Sequence, residues 1–265
     1  MPEGDTIFKL AAFLGPALQG RSVRHGVART RSPVDLAGLR IEAVYARGKH
    51  LFIAFDRALV LRSHLGMRGS WHHYPPDAPW QRPRTQASII IDVGDRLYVC
   101  FNAKQVELVR HHGARDRHLL TTLGPDLLAD TIDYPAIIAR ARELSDPARS
   151  IADVLLDQRI ACGIGNVYKS ETLFLHGWHP RAPLGRLADD ALLTLYREAS
   201  KLLGRNLRGG PRVTRRTADG SGRLWVYGRT GQPCLRCDTP IASALLGEQQ
   251  RSTFWCPNCQ TADAA

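Results

Sequence analysis

Asp157-Gln158-Arg159-Ile160-Ala161-Cys162-Gly163-Ile164-Gly165-Asn166-Val167-Tyr168-Lys169-Ser170-Glu171 is the stretch on which the fold turns. A helix is expected to end near Ala161, and a new one to start just after Asn166. Between them two glycines flank a single apolar residue. Glycine has no Cβ and tolerates positive φ, so the backbone can make two tight turns and aim N–H groups outward. Amides at a helix N-terminus, with Asn166 and Lys169 beside them, form a phosphate-binding site. The same residues also describe an ordinary glycine-capped junction with Asn166 as N-cap. This stretch alone does not separate the two readings.

Outward from it, the C-terminal half is helical. Residues 134–144, 151–158, 168–176 and 188–207 each carry an apolar stripe of helical period. The N-terminal half differs. One helix opens it, with Asp5 as cap and Ile7, Leu10, Ala11 and Leu14 at i, i+3, i+4 and i+7. Gly15-Pro16 is expected to interrupt this helix and Gly20 to end it. Short apolar runs follow at 41–45, 51–55, 59–61, 89–91 and 97–101, separated by turn residues such as Gly94-Asp95. They predict a small antiparallel sandwich or barrel after one helix. Residues 75–83 read as a polar, proline-rich loop, and 208–222 as a mobile basic loop. The change of character at Leu123-Gly124-Pro125-Asp126 marks a boundary. The expected organisation is α+β and multidomain, with modules at 1–123, 124–222 and 223–265.

The six cysteines divide into two kinds. Cys100 and Cys162 lie in apolar surroundings and read as reduced core residues. Cys234-Leu235-Arg236-Cys237 and Cys256-Pro257-Asn258-Cys259 are two knuckles separated by 18 residues, 238–255. That spacing predicts a tetrahedral structural zinc site, one Zn2+ per chain. Four thiolates leave no open coordination position, so this metal holds structure and does not catalyse.

Composition narrows the class. The chain has 265 residues, 44% hydrophobic and 23% charged, as a globular protein with a sizeable core does. No apolar run is long enough for a membrane span, and no signal peptide is expected, which leaves the cytoplasm as the expected compartment. The formal charge of +11 favours a polyanionic partner, nucleic acid first, although an arginine-rich composition gives the same number.

The chain begins Met1-Pro2-Glu3. Methionine before a small residue is usually removed, which would leave Pro2 with a free secondary amine. An α-amino group titrates near ~7.7–8.0, well below a lysine at ~10.4, so much of it is a nucleophile at neutral pH. A secondary amine that attacks a sugar aldehyde gives a cationic iminium, an electron sink suited to elimination. Glu3 places a candidate general acid/base beside it.

Pro2-Glu3, Gly48-Lys49-His50-Leu51, Gly163-Ile164-Gly165-Asn166 and Arg251-Ser252-Thr253-Phe254-Trp255-Cys256-Pro257 occur in one order. Together they resemble the formamidopyrimidine-DNA glycosylase/endonuclease VIII family of DNA repair enzymes. Gly4-Asp5-Thr6 is more similar to the endonuclease VIII branch. The resemblance implies a β-sandwich flanked by helices, a helix-two-turn-helix domain and a zinc finger. It implies a bifunctional glycosylase and abasic-site lyase acting on damaged DNA as a monomer, with no small-molecule cofactor. By position, Pro2 matches the nucleophile that attacks the sugar C1′. Glu3 matches the proton donor, Lys49 the phosphate-positioning lysine of β-elimination, and Arg251 the zinc-finger arginine of δ-elimination. Asn166 matches a phosphate contact. The base must be flipped out of the stack to be reached.

One departure stands out. Many family members carry an Arg and a Phe that fill the void left by the flipped base. In the corresponding stretch, Phe101-Asn102-Ala103-Lys104-Gln105-Val106, that pair is missing. His64-Leu65-Gly66-Met67 keeps Met67 where the family places a wedge. Oxidised pyrimidines are the expected substrates. Oxidised purines, or a non-catalytic nucleic-acid-binding role, are the alternatives. His176 and His179 read as structural, His72-His73 and His111-His112 as solvated loop residues. Gly209-Gly210 beside Arg215-Arg216 reads equally as a loop over the lesion base or as a linker.

Overall fold

Helix α1 (Gly4–Leu18) buries Ile7, Ala11, Leu14 and Leu18 along one face. In this computed structural model, which describes residues 2–217, 220 and 222–261, Gly15-Pro16 does not interrupt it. Proline removes one N–H, but here the helix ends two residues later, so only its last turn is affected. Gln19 N still donates to Gly15 O at 2.9 Å. The expected cap is also corrected. Glu3 is the N-cap residue, while Asp5 lies inside the first turn and pairs with Lys9 at 3.6 Å. An acidic group there suits the positive end of the helix.

Contacts divide the chain into two units, Met1–Thr122 and Leu123–Ala265. In the first, β1 (His25–Ala28), β2 (Val34–Asp35), β6 (Ser70–Tyr74), β7 (Ala87–Asp92) and β8 (Leu97–Phe101) form a five-stranded sheet in the order β2-β1-β7-β8-β6. A second sheet has the order β3-β4-β5-β9, from β3 (Ile41–Arg47), β4 (His50–Phe55), β5 (Leu59–His64) and β9 (Gln105–Arg110). Every pairing is antiparallel. Inward residues of both sheets, among them Ile53, Leu61, Ile89 and Ile91, share one core with α1. This is the expected sandwich.

His72 and His73, expected in a loop, sit in β6 opposite Val99 and Tyr98. A polar-looking pair can occupy a strand when its neighbours across the sheet supply the packing. His111 and His112 are exposed, as expected, and their rings stack at 3.9 Å beside Asp116. Helix α2 (Ala114–Thr122) was invisible to periodicity because Asp116 is its only buried residue.

The second unit packs α3 (Tyr134–Leu144), α4 (Ile151–Leu156), α5 (Asn166–Leu175) and α6 (Asp189–Gly204) around Ile137, Val154, Leu155, Tyr168, Leu195 and Leu203. The helix expected to reach 158–161 stops at Leu156. Asp157 ends it in extended backbone, with its carboxylate accepting from Arg149 and Arg159. α5 starts at Asn166 itself, with Gly165 as N-cap. A hairpin of β10 (Ala242–Leu246) and β11 (Arg251–Trp255) follows. Phe174 of α5 joins Val226, Cys234, Ile241 and Cys256 in a small second core. Cys100 and Cys162 are buried, as expected. Met1 and residues 218, 219 and 221 of the expected basic loop lie outside the described residues. Among the described residues no helix is long and apolar enough to cross a membrane.

Gly124, in the boundary stretch, is a packing residue. A Cβ there would lie 2.2 Å from Ile160 O, and Gly124 N donates to Gln158 O at 2.9 Å. Both partners are backbone and cannot turn aside. Gly124→Ala should therefore lower the urea midpoint of this unit, by about 1–3 kcal/mol in stability, the usual cost of overpacking. An unchanged midpoint would contradict the packing argument.

Candidate functional site

Glu3 is fully buried, at 0% exposure, and holds the head of α1. Its carbonyl accepts from Thr6 N at 3.0 Å and Ile7 N at 3.2 Å. Pro2, one residue before it, is half-buried. α1 packs on β3 and β4, and those two strands are joined by Gly48-Lys49. Arg47 pairs with His50 across this two-residue turn, and Gly48 takes φ +55°. A turn this tight needs positive φ at its first position, which glycine supplies. Lys49 is thereby fixed at a hairpin apex, partly exposed, on the layer that carries α1.

Two imidazoles stand behind Lys49. His50 on β4 faces His64 on β5, with ring centroids 4.9 Å apart. Burial first, then His64, Arg62 and Lys49, push the His50 pKa down to about 3. Burial first, then Lys49, Lys104 and Arg62, hold His64 at about 4. Both are neutral at pH 7, so they add no charge to a site already cationic. His64 Nδ1 accepts from Gly66 N at 3.2 Å. Sequence reading passed over this pair, since its meaning lies in strand register.

The turn after β5 presents Met67, which is 67% exposed. Gly66 has φ +64°, and an added Cβ would lie 2.8 Å from Lys104 Cβ. Lys104 belongs to the stretch where the Arg-Phe pair is missing. That stretch is a short turn crossing from one sheet to the other, with Asn102 at φ +50° and Lys104 N donating to His64 O at 2.9 Å.

In the second unit, Gly163 at φ +118° and Gly165 lead into α5. Asn166, its first residue, is buried; its amide donates to Ser252 O, and its Oδ1 accepts from Lys169 Nζ at 2.6 Å. Lys169 Nζ also donates to Thr253 Oγ1 at 2.7 Å. Lys169, expected to touch DNA, is only 1% exposed, with its ammonium turned toward Asn166 and Thr253. Arg251 opens β11, partly exposed, with its guanidinium reaching Gln249 Oε1 at 3.2 and 3.3 Å.

Glu171, also missed in the sequence, is fully buried one turn further along α5. Its carboxylate accepts from Val226 N at 2.9 Å, Tyr227 N and Trp225 N at 2.8 Å, and the Thr214 hydroxyl. Four donors compensate a charge that would otherwise be costly to bury. They also fasten both stems of the basic loop to α5.

The four knuckle cysteines converge. Their sulfurs lie within 4.8 Å of one another, with Cys234–Cys259 at 3.9 Å, Cys237–Cys256 at 3.5 Å and Cys237–Cys259 at 3.4 Å. A tetrahedron with ~2.3 Å metal–sulfur bonds has edges of ~3.8 Å, so the donor set fits zinc. The Thr239 and Asn258 hydrogen bonds draw the Cys237 pKa down to about 5, whereas burial pushes Cys256 and Cys259 up. A dication bound by all four sulfurs would resolve that conflict. His176 and His179 do not converge on a metal: the buried Nε2 of His176 has no hydrogen-bond partner among the described residues, and His179 lies edge-on to Trp255.

Comparison with known proteins is consistent along the whole chain. Residues 1–105 match the formamidopyrimidine-DNA glycosylase N-terminal domain, 123–217 the formamidopyrimidine-DNA glycosylase H2TH domain, and 231–262 the zinc finger found in FPG and IleRS. The chain is 39% identical over 270 residues to probable endonuclease 8 2 of Streptomyces coelicolor, spanning 100% of this chain and 95% of that protein. It is 38% identical over 264 residues to DNA-(apurinic or apyrimidinic site) lyase Nei2 of Mycolicibacterium smegmatis, spanning 99% and 100%. The solved structure of Lactococcus lactis formamidopyrimidine-DNA glycosylase, non-covalently bound to DNA containing an AP site, matches with a TM-score of 0.81 over 98% of this chain and 100% of that one. At 23% identity that likeness speaks for the fold.

Two expected outcomes follow from the geometry. An unfolded histidine titrates near ~6.5, and His50 and His64 in the fold titrate at about 3 and about 4. Between these values the unfolded chain binds more protons, so stability must fall as pH drops from 6.5 toward 4. Hydrogen exchange of the β4 and β5 amides should quicken over that window, beyond the change in intrinsic rate, and His50→Gln should flatten the trend. Independently, Cys256→Ser or chelation should strip exchange protection from 225–260, because metal binding on the order of 10–16 kcal/mol is coupled to folding in such modules. The α3–α4 core should stay protected; a metal-free chain with full protection at 225–260 would refute the metal's structural role.

Proposed function

Because the chain belongs to the formamidopyrimidine-DNA glycosylase/endonuclease VIII family of bifunctional DNA glycosylase/AP lyases, we propose that it removes oxidised bases, pyrimidines preferred, and cleaves the resulting abasic site by β,δ-elimination through an iminium on Pro2. It acts in base-excision repair with damaged DNA as its partner. The observation that carries this reading is the placement of Pro2-Glu3 at the head of α1, packed on the hairpin whose apex is Lys49.

The steps follow from the chemistry of these groups. With Met1 removed, the Pro2 nitrogen attacks the sugar C1′ and the base leaves with a proton. Glu3 supplies protons for ring opening and base departure. The cationic iminium acidifies the C2′ hydrogen. Loss of that proton expels the 3′ phosphate, and a second elimination expels the 5′ phosphate. Lys49 positions phosphate for the first elimination, and Arg251 grips it for the second. Asn166 is a phosphate contact at the start of α5. One structural zinc on the four cysteines holds β11, and with it Arg251. The working form is a cytoplasmic monomer of three modules, 1–123, 124–222 and 223–265, with no small-molecule cofactor.

Pyrimidine preference is supported by Met67. Without an Arg-Phe pair, one thioether enters the void. It can offset part of an unstacking cost of about a few kcal/mol, yet it offers no donor to the orphaned base. Discrimination of the opposite base should be weak, and poorly stacked lesions should be favoured.

The decisive experiment combines defined lesions with borohydride. Duplexes carrying an oxidised pyrimidine should be cut to 3′-phosphate ends, faster than 8-oxoguanine opposite cytosine. Reduction should trap a covalent adduct at Pro2, and a form retaining Met1 should trap none. Undiminished trapping with Met1 present would assign the nucleophile to another amine. Strong excision of 8-oxoguanine opposite cytosine, with rejection opposite adenine, would overturn the substrate assignment.

A further inference from the structure

A fully buried lysine is uncommon, and an ammonium out of water must be matched by acceptors. Among the groups that meet that requirement for Lys169 are two from different elements. Its Nζ donates to Asn166 Oδ1 at 2.6 Å, one turn earlier on α5, and to Thr253 Oγ1 at 2.7 Å, on β11. Thr253 Oγ1 in turn donates to Arg251 O at 3.0 Å. The Asn166 amide completes a loop by donating to Ser252 O. The strand segment 251–253 is thus tied to the start of α5 through two side chains, Asn166 and Lys169, which are themselves hydrogen-bonded to each other.

We propose that Lys169 is a positioning residue, whose buried ammonium locks Asn166 and the strand segment bearing Arg251 into a single phosphate-gripping constellation. This rests on the reading that Asn166 and Arg251 hold phosphate. Lys169 does not itself meet DNA, since its ammonium is enclosed. Its charge also fixes which way the Asn166 amide group points. The carbonyl oxygen faces inward to the ammonium, and the NH2 faces the strand. An apolar residue of similar length would fill the space but leave Asn166 free to turn and Thr253 free to change partner.

The test uses the full zinc-loaded chain and a preformed abasic-site duplex. Lys169→Met, Arg251→Ala and the double variant are compared for DNA affinity across salt, for the ratio of β,δ to β product, and for borohydride trapping. Lys169→Met should lower the β,δ:β ratio by roughly ten- to a hundredfold, the scale on which misplacing a positioned group acts. It should also reduce the salt slope by about one unit, although no phosphate contact has been removed directly. Trapping through Pro2 should persist. The double variant should be no worse than Arg251→Ala, because both changes disable one unit.

Thr253→Val, which removes only the hydroxyl, should give the same pattern more weakly, and zinc content confirms that the finger is intact. If Lys169→Met fails to fold, Thr253→Val decides: a wild-type ratio and slope there overturn the proposal. Wild-type behaviour of Arg251→Ala would sink the underlying reading of Arg251. A defect in Arg251→Ala with Lys169→Met at wild type, or defects that simply add, would sink the positioning role alone.

Discussion

The buried amide and charged side chains of α5, Asn166, Lys169 and Glu171, need compensating partners, and much of the second unit is arranged around that constraint. Asn166 reaches Ser252, Lys169 reaches Thr253, and Glu171 collects the N–H groups of Trp225, Val226 and Tyr227. An unpaired charge at these depths would cost several kcal/mol, on the order of 3–5 for a broken buried pair. The helix therefore dictates where the β10–β11 hairpin and the stems of the basic loop lie. Apolar packing of Phe174 against Val226, Ile241 and the cysteines adds area but little direction. The hydrogen bonds supply the register.

The first unit handles charge differently. Arg62, Lys104 and Lys49 crowd the faces of β4, β5 and the neighbouring turn, and the two histidines among them stay uncharged. Neutral imidazoles let strands carry polar side chains without adding to the repulsion. Arg62 is buried and paired with Glu107 at 2.9 Å, so the outward positive character here comes from the exposed Lys104 and the partly exposed Lys49, which suit a polyanion. The chemistry assigned to this surface needs only an amine and a carboxyl, with the metal held elsewhere in the chain on four sulfurs that leave no free coordination position.

Much of this was legible in the sequence because it is local. The cysteine spacing, the alternating runs of the sandwich and the residues 134–144 of α3 are patterns within a few residues of one another. The features that escaped reading are relations between distant segments. His50 and His64 acquire meaning only through the β4–β5 register. Lys169 looked like a phosphate ligand because a basic residue near a helix start usually is one. Its burial depends on β11, more than eighty positions away in the chain. Gly124 was legible only as part of a boundary stretch, whereas the backbone of Ile160 allows nothing larger there. α2 offered no stripe to find.

The Lys169 link has a consequence for how a lesion is sought. Ordering a lysine costs about 1.5–2 kcal/mol of side-chain entropy, and here that cost is met on folding, before any nucleic acid arrives. If Asn166 and Arg251 hold phosphate as proposed, that grip is preorganised and association there needs little induced fit. Met67 is the opposite, a flexible thioether standing 67% in solvent. On the proposed reading, the backbone grip and the probe of the stack make opposite demands on side-chain order. The first would bear on dwell time on DNA and the second on the threshold for interrogating a base pair, so each could be tuned by itself.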